Sequence, residues 1–429
     1  MLKVLLLALA VGVCAVSLLA QDVKNLTVYD AGVAEITEER IVNLQPGFNQ
    51  IEWRSLQPKA DLRTVRVLAE NAEIIRQDVT FDGADVKNEK SPVLHLIIEN
   101  KAASGARKIT VDYLAPNVSW QNAYSLVLDT DLNGAPPTAA NLDSWVSVFN
   151  NTGTDLSAET IDLIAGEIAL LGNGTSELQV YGRRDSNYAI QSNTTYDATS
   201  ESEGAEYNAS ASKVSAFTRF RLGSNIALTA NKTVSRFPIF QRARLAIVQR
   251  NVFENEYNVQ TVARGGFNLQ PRGLEVRLVG KNPTKDSMPA GAVTIYARTA
   301  DGLQQVVGQD RVPLTPPEGE FTVTQGRSST IFGTRRILER VTDYVKDERG
   351  DSDQRLTTKV EIVLTNRSAL SAEAYVRENI EAYDKNQWTI TQSSIPKEKW
   401  EKLGTNAIQT KVSVPANGKT TITYSVEAR

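Results

Sequence analysis

The chain has 429 residues, with 47 Lys and Arg against 50 Asp and Glu, a formal charge of −3, one histidine and one cysteine. Neither sign forms a long block, so the basic footprint of a nucleic-acid protein is missing, and aromatic residues at 7% are too sparse for a base-stacking platform. The lone Cys14 excludes an internal disulfide, a thiolate zinc site and an iron–sulfur cluster.

The first residues read as an export signal: Met1 and Lys3 supply positive charge, residues 4–13 are an apolar run, and cleavage after Ala20 leaves Leu18 and Ala20 at the selective positions. Residues 1–20 are therefore expected to be a signal peptide. The alternative is membrane anchoring through residues 4–20 if they stay uncleaved, since an apolar stretch of that length is at the lower limit for spanning about 30 Å of hydrocarbon. Cys14 follows Val13, whereas a lipidated cysteine normally follows a small residue. A cleaved chain holds no thiol and must stay folded on its buried core alone, for which it is long enough.

From there the pattern is period two, in which alternate side chains face a core. An N-terminal β domain is expected over 21–107, with strands around Val23, Leu26 and Val28, at 62–67 (LRTVRV), and around PVLHLIIEN. A core β domain follows over 108–270, with strands at 108–113 and 144–149. It contains a loop at about 183–213 whose Ser, Asn, Thr and Glu are too polar to offset the entropy of ordering. A C-terminal β-sandwich domain is expected over 271–429, with strands at 274–278, 359–364 and 420–426. Turn pairs punctuate the strands at Pro46-Gly47, Asp82-Gly83, Asn133-Gly134, Asp301-Gly302 and Asn417-Gly418, where tight hairpins are expected. One segment, 334–348 (TRRILERVTDYVKDE), fits a helix through Ile337, Val341, Tyr344 and Val345. The turn residues and the alternating strand after it favour a hairpin arm. The fold class is thus mostly β: two or three antiparallel β-sandwich-like domains with a long flexible central loop.

Several of these pieces resemble a known family. DYLAPNVSWQNAYSLVLD at 112–129 and LDSWVSVFNNTGTDLSAETIDLIAGEI at 142–168 are similar, in order, to the signature of a bacterial exported family. It is the family of domain of unknown function 4139, some members of which are called mucoidy-inhibitor-like. FTRFRLGSNIALTANKTVSRFPI at 217–239 and MPAGAVTIYARTADGLQQVVGQDRVPLTPPEGEFTVTQG at 288–326 continue the likeness. So do Leu364 to Arg367, Trp388-Thr389-Ile390 and the final Thr-Tyr-Ser-Val strand. This chain departs at Gly308-Gln309-Asp310 and at Pro317, and lacks the coiled-coil insertion of some relatives. The resemblance implies an exported β architecture and no known activity.

The chemical candidates are few. His95 shares a strand face with Val93 and Ile97, opposite Leu94, Leu96 and Ile98, and with no Gly-x-Ser-x-Gly elbow it reads as a structural histidine. Asp129, Asp131 and Asn133 with Gly134 repeat the first half of a calcium loop, but Ala140 stands where the bidentate Glu belongs, so a plain turn is the competing reading. The acids Asp347, Glu348, Asp351 and Asp353 surround an Arg349-Gly350-Asp351 tripeptide. Eight Asn-x-Ser/Thr acceptors occur, at Asn25, Asn117, Asn150, Asn173, Asn193, Asn208, Asn231 and Asn366. Trp53, Trp120, Trp145, Trp388 and Trp400 read as core anchors. Phosphate-cradling glycine loops are missing, and no pair of carboxylates is singled out for glycoside cleavage. These observations lead to an expected role as a non-catalytic scaffold or binding module, located in the periplasm, on the outer surface or outside the cell. Its partner would be an envelope protein or a surface polysaccharide, and it would need no cofactor. The alternatives are a glycan-active hydrolase using acidic residues and a surface-layer or filament subunit.

Overall fold

A computed structural model describes residues 23–82, 91–129, 135–166, 168–171, 178–181, 206–207, 210–214, 217–231, 234–254, 269–299, 301–346, 352–380 and 387–428. The expected signal peptide (1–20) and most of the expected central loop lie outside the described residues. Extended backbone dominates, and the one helical element among the described residues is a single 3-10 turn, Lys397–Lys399. No helix among the described residues is long and apolar enough to cross a membrane.

Seven strands come first: β1 (Val23–Tyr29), β2 (Val33–Leu44), β3 (Gly47–Trp53), β4 (Asp61–Ala69), β5 (Glu73–Asp82), β6 (Ser91–Asn100) and β7 (Gly105–Pro116). The next are β8 (Val118–Leu128), β9 (Ala139–Asn150) and β10 (Leu156–Ala165), then the short β11 (Ile168–Leu171), β12 (Leu178–Tyr181), β13 (Glu206–Tyr207) and β14 (Ser210–Val214). Long strands follow: β15 (Phe217–Leu228), β16 (Val234–Glu254), β17 (Leu269–Lys281), β18 (Gly291–Arg298), β19 (Gln304–Val312) and β20 (Glu320–Lys346). The chain closes with β21 (Ser352–Asn366), β22 (Ala372–Asn379), β23 (Trp388–Ser393), β24 (Glu401–Leu403), β25 (Ala407–Val414) and β26 (Lys419–Ala428).

Two compact units result. The first comprises 1–121, 146–193 and 208–237, the second 122–145, 194–207 and 238–429, so the boundaries fall inside β8, β9 and β16. In the first unit a seven-stranded sheet runs β14-β15-β10-β1-β2-β7-β4, beside a three-stranded sheet β3-β6-β5. Alternation is strict where a strand has one wet face: in β2, Ala34, Ile36 and Glu38 are buried while Glu35, Thr37 and Glu39 face outward. β14 is a departure from the loop expected over 183–213, since its five residues pair with β15 at the sheet edge. β1 lies parallel to β10 and antiparallel to β2, and β8 with β18 and β16 with β22 are also parallel pairs.

In the second unit the strand path β19-β18-β8-β9-β16-β17-β20 curls round until its end strands are side by side. The approach needs Gly308 in β19, where a Cβ would stand 2.4 Å from the Gln325 carbonyl oxygen, and the Asp310 carboxylate accepts the Thr324 N–H at 2.5 Å. A second core gathers Phe253 of β16 with Leu274, Ile362, Val376, Trp388, Trp400, Ile408 and Tyr424 from the chain between β17 and β26. Gly333 makes room for the Phe253 ring there, since a Cβ would overlap it at 2.2 Å. Segment 334–346 belongs to β20 and pairs with β21 from Ile337↔Val360 to Lys346↔Ser352, so it is the hairpin arm rather than a helix.

Gly83 and the Asn133-Gly134 pair lie outside the described residues, and the other three turn pairs divide into two kinds. Asp301-Gly302 closes the β18–β19 hairpin, with Gly302 at φ +84°. Pro46-Gly47 and Asn417-Gly418, expected to close hairpins, instead carry the chain between strands that are not paired with each other, β2 to β3 and β25 to β26. The residue types supply the sharp bend, but which strand the chain meets next depends on the packed layers.

Another connection recurs, at two of the Asn-x-Ser/Thr acceptors and once outside them. After β9, β17 and β21 the chain turns through Asn150-x-Thr152, Asn282-x-Thr284 and Asn366-x-Ser368 into strands of different pairing. Each Asn Oδ1 accepts the N–H of the residue two ahead, at 3.1, 2.8 and 2.9 Å, and that residue's hydroxyl at 2.7, 2.7 and 2.8 Å. Each Nδ2 donates to the carbonyl four ahead at 2.9, 2.8 and 2.8 Å, and reaches a distant carbonyl as well: Leu228, Thr315 or Val414. The side chain thus replaces the ladder bonds that the crossing backbone gives up. Asn150 and Asn366, at 2% and 1% exposure, are structural clamps with their amide nitrogens engaged.

Candidate binding surfaces

A shallow depression of about 360 Å³ lies in the first unit, at the low end of the roughly 300–1,000 Å³ typical of small-molecule sites. Its lining combines Lys24 and Val23 of β1, Glu39, Arg40 and Ile41 of β2, Lys108 of β7, Glu159 of β10 and Asn225 of β15. The register between β1 and β2 slips at Lys24, and such a bulge re-aims a side chain. Lys24 pairs with Glu159, which holds its ammonium above the ordinary lysine value, and Lys108 lies 3.4 Å from Glu39. Ile41 is 78% exposed on the outer face.

Behind Arg40 is a buried polar cluster. Glu38 continues the inward set of β2 and is fully buried; its carboxylate accepts the Trp53 indole N–H at 2.7 Å, the Tyr113 hydroxyl at 2.9 Å and the Ser55 hydroxyl. Burial, reinforced by the Glu38 charge, pushes the Tyr113 phenol well above its ordinary value. Arg40 stacks over the Trp53 ring at 4.2 Å and donates to Ser55 Oγ at 2.8 Å, while Glu38 stands 4.0 Å away. The guanidinium is therefore held on its indole and hydroxyl contacts, beyond hydrogen-bond reach of the carboxylate.

The second unit has a comparable cluster and a different kind of surface. Glu378, fully buried, accepts Arg335 Nε at 2.8 Å and the Tyr424 hydroxyl, and Trp400 packs on Tyr424 with ring centroids 5.4 Å apart. Burial, then the Glu378 charge, raises the Tyr424 phenol far above its usual range. Beyond Arg335 the β20–β21 arm changes character: Leu338, Val341 and Tyr344 are 44%, 38% and 72% exposed. Its last described pair is Lys346↔Ser352, so the Arg-Gly-Asp tripeptide and the acids Asp347, Glu348 and Asp351 lie outside the described residues.

The residues singled out from the sequence are dispersed. Asp129 pairs with Arg244, so a guanidinium occupies the carboxylate that a calcium ion would use; Asp131 and Asn133 lie outside the described residues. No group of three metal-ligating side chains is found among the described residues. His95 sits in β6 between Leu94 and Leu96, which are buried on the opposite face, and its Nε2 bonds Thr80 Oγ1 at 2.7 Å. Trp53, Trp120, Trp388 and Trp400 are buried, whereas Trp145 is half-buried on the outward side of β9. Arg40, Glu38, Arg335 and Glu378 went unnoticed in the sequence. The available signal was a charge continuing an inward apolar series: Ala34-Ile36-Glu38, Ile331-Gly333-Arg335 and Ala374-Val376-Glu378.

No protein-family model matches the chain, and no curated protein matches it either.

Proposed function

We propose that this chain is an exported, non-catalytic protein of the bacterial cell envelope that serves as a scaffold or binding module for another envelope protein or a surface polysaccharide. The observation that carries the reading is the β20–β21 arm, which presents Leu338, Val341 and Tyr344 to solvent. An exposed tyrosine offers a large apolar contact with little side-chain entropy to lose, the property that makes it a common protein-binding hot spot. The apolar segment at 4–20 and a chain free of cysteine beyond it support export.

The test is a photo-crosslinking amino acid placed at Tyr344 in the native cell, with exposed Lys397 as the control position. A discrete adduct from position 344, absent from 397, is expected. Equal labelling at both positions, or none at 344, would refute an interaction through the arm.

A further inference from the structure

The depression of the first unit is a gap in its sheet. β1 lies between β2 and β10, and its pairing starts at Val23, opposite Glu38 on one side and Ala158 on the other. β2 runs on to Leu44, still paired with β7 along its other edge. The lining therefore includes Glu39 and Ile41 from the outer face of β2, Arg40 from its inner face, and Ser157, Ala158 and Glu159 of β10. Which backbone groups face the gap follows from the register. The Glu70 N–H donates to the Lys108 carbonyl, so Lys108 turns its backbone toward β4. Neighbouring residues of a strand alternate, so Arg107 and Ile109 turn toward Val42 and Arg40 of β2. Glu39, Ile41 and Asn43 then direct their N–H and C=O groups the opposite way, into the course that β1 would take before Val23. No strand among the described residues meets them there. A row of such groups is a template for one more extended segment.

The segment that reaches this edge is the chain's own, since Asp22 is joined to Val23. In the register of β1, Asp22 falls against Glu39, Ala20 against Ile41 and Leu18 against Asn43, with Gln21 and Leu19 opposite Arg40 and Val42. The two sides match in character. Asp22 finds Lys24 and Lys108 in the lining. The apolar Ala20 and Leu18 come beside Ile41, which is 78% exposed on an outer face that otherwise carries Glu35, Thr37 and Glu39. We infer that residues 18–22 extend β1 along β2, so that the last residues of the expected leader are held in the sheet for as long as they stay attached. Cleavage after Ala20 takes Leu18, Leu19 and Ala20 away from Ile41 and Asn43 and leaves Gln21 and Asp22 in place. Processing thus uncovers a strand edge that carries an exposed isoleucine. The inference goes beyond the binding role proposed above and does not involve the β20–β21 arm.

Hydrogen–deuterium exchange of the full chain in detergent micelles, set against the chain that begins at Gln21 in the same detergent, tests it. The Ile41 and Asn43 amides should exchange at least about tenfold more slowly in the full chain, and the Glu39 amide at the same rate in both. Ala20→Pro removes the N–H that bonds the Ile41 carbonyl and should return the Ile41 amide of the full chain to the faster rate, whereas Ala20→Ser should leave it slow. Shielding by the micelle alone would survive Ala20→Pro. Equal rates at Ile41 in the full and shortened chains, or slow exchange that persists in Ala20→Pro, would overturn the inference. Neither result bears on crosslinking at Tyr344, so the two readings fall separately.

Discussion

Replacing Asn366 by Ala is the sharpest probe of how the layers are joined. The side chain is 1% exposed and makes four hydrogen bonds: Nδ2 to the Leu370 carbonyl at 2.8 Å and the Val414 carbonyl at 3.3 Å, and Oδ1 from the Ser368 N–H at 2.9 Å and hydroxyl at 2.8 Å. At roughly 0.5–1.5 kcal/mol net for each bond, the four sum to about 2–6 kcal/mol, so a loss near 4 kcal/mol is expected. Ser368→Ala removes only the hydroxyl, at a site near solvent, and should cost about 1 kcal/mol. Urea unfolding followed by tryptophan fluorescence measures both, because Trp388 and Trp400 belong to the same buried core as Val414. With two units present, the transition of the second unit must be fitted separately. Asn282→Ala should act on that transition as well, and Asn150→Ala on the transition of the first unit. A loss below about 1 kcal/mol for Asn366→Ala, or one no larger than that of Ser368→Ala, would refute the clamp as the element that holds the crossing.

The remaining expectations follow from the same buried polar groups. Glu378→Gln leaves Arg335 buried without its counter-charge and should cost about 3–5 kcal/mol by urea unfolding, while the double replacement Glu378→Leu with Arg335→Met should recover much of that loss; equal losses would show the pair to be irrelevant. Tyr113 and Tyr424 are held neutral in the folded chain above the ordinary phenol value of 10.0, so their contribution is complete below pH 10. It is lost as the pH rises above that value, because the unfolded chain then releases protons that the folded chain retains. Spectrophotometric titration should find these phenols ionising only with unfolding, and normal reversible ionisation of all tyrosines would contradict it. Expression in a host that glycosylates Asn-x-Ser/Thr should leave Asn150 and Asn366 unmodified, since their Nδ2 atoms are buried and bonded, whereas Asn117, exposed at φ +71°, can accept a glycan. Peptide mapping that finds glycan on Asn150 or Asn366 of folded protein would contradict the structure.

The sequence by itself determined that this chain is built of strands, because alternation of apolar and polar residues is a local property: β7, β9 and β26 could be read from their own side chains. It also contained the inward-facing Glu38, Arg335 and Glu378, visible as charges in an apolar series, although their partners were not. Those partners lie far along the chain, as Trp53 and Tyr113 do from Glu38 and Tyr424 does from Glu378. Tertiary structure alone decided that Asn417-Gly418 crosses between strands while Asp301-Gly302 closes a hairpin, and that Asn150 and Asn366 are clamps rather than acceptors. A turn residue dictates only the bend; whether the next strand bonds its predecessor or another layer depends on burying apolar faces contributed by distant segments. The depression around Arg40 has the same origin, since β1, β2, β7, β10 and β15 meet there only after the parallel pairing of β1 with β10 is made.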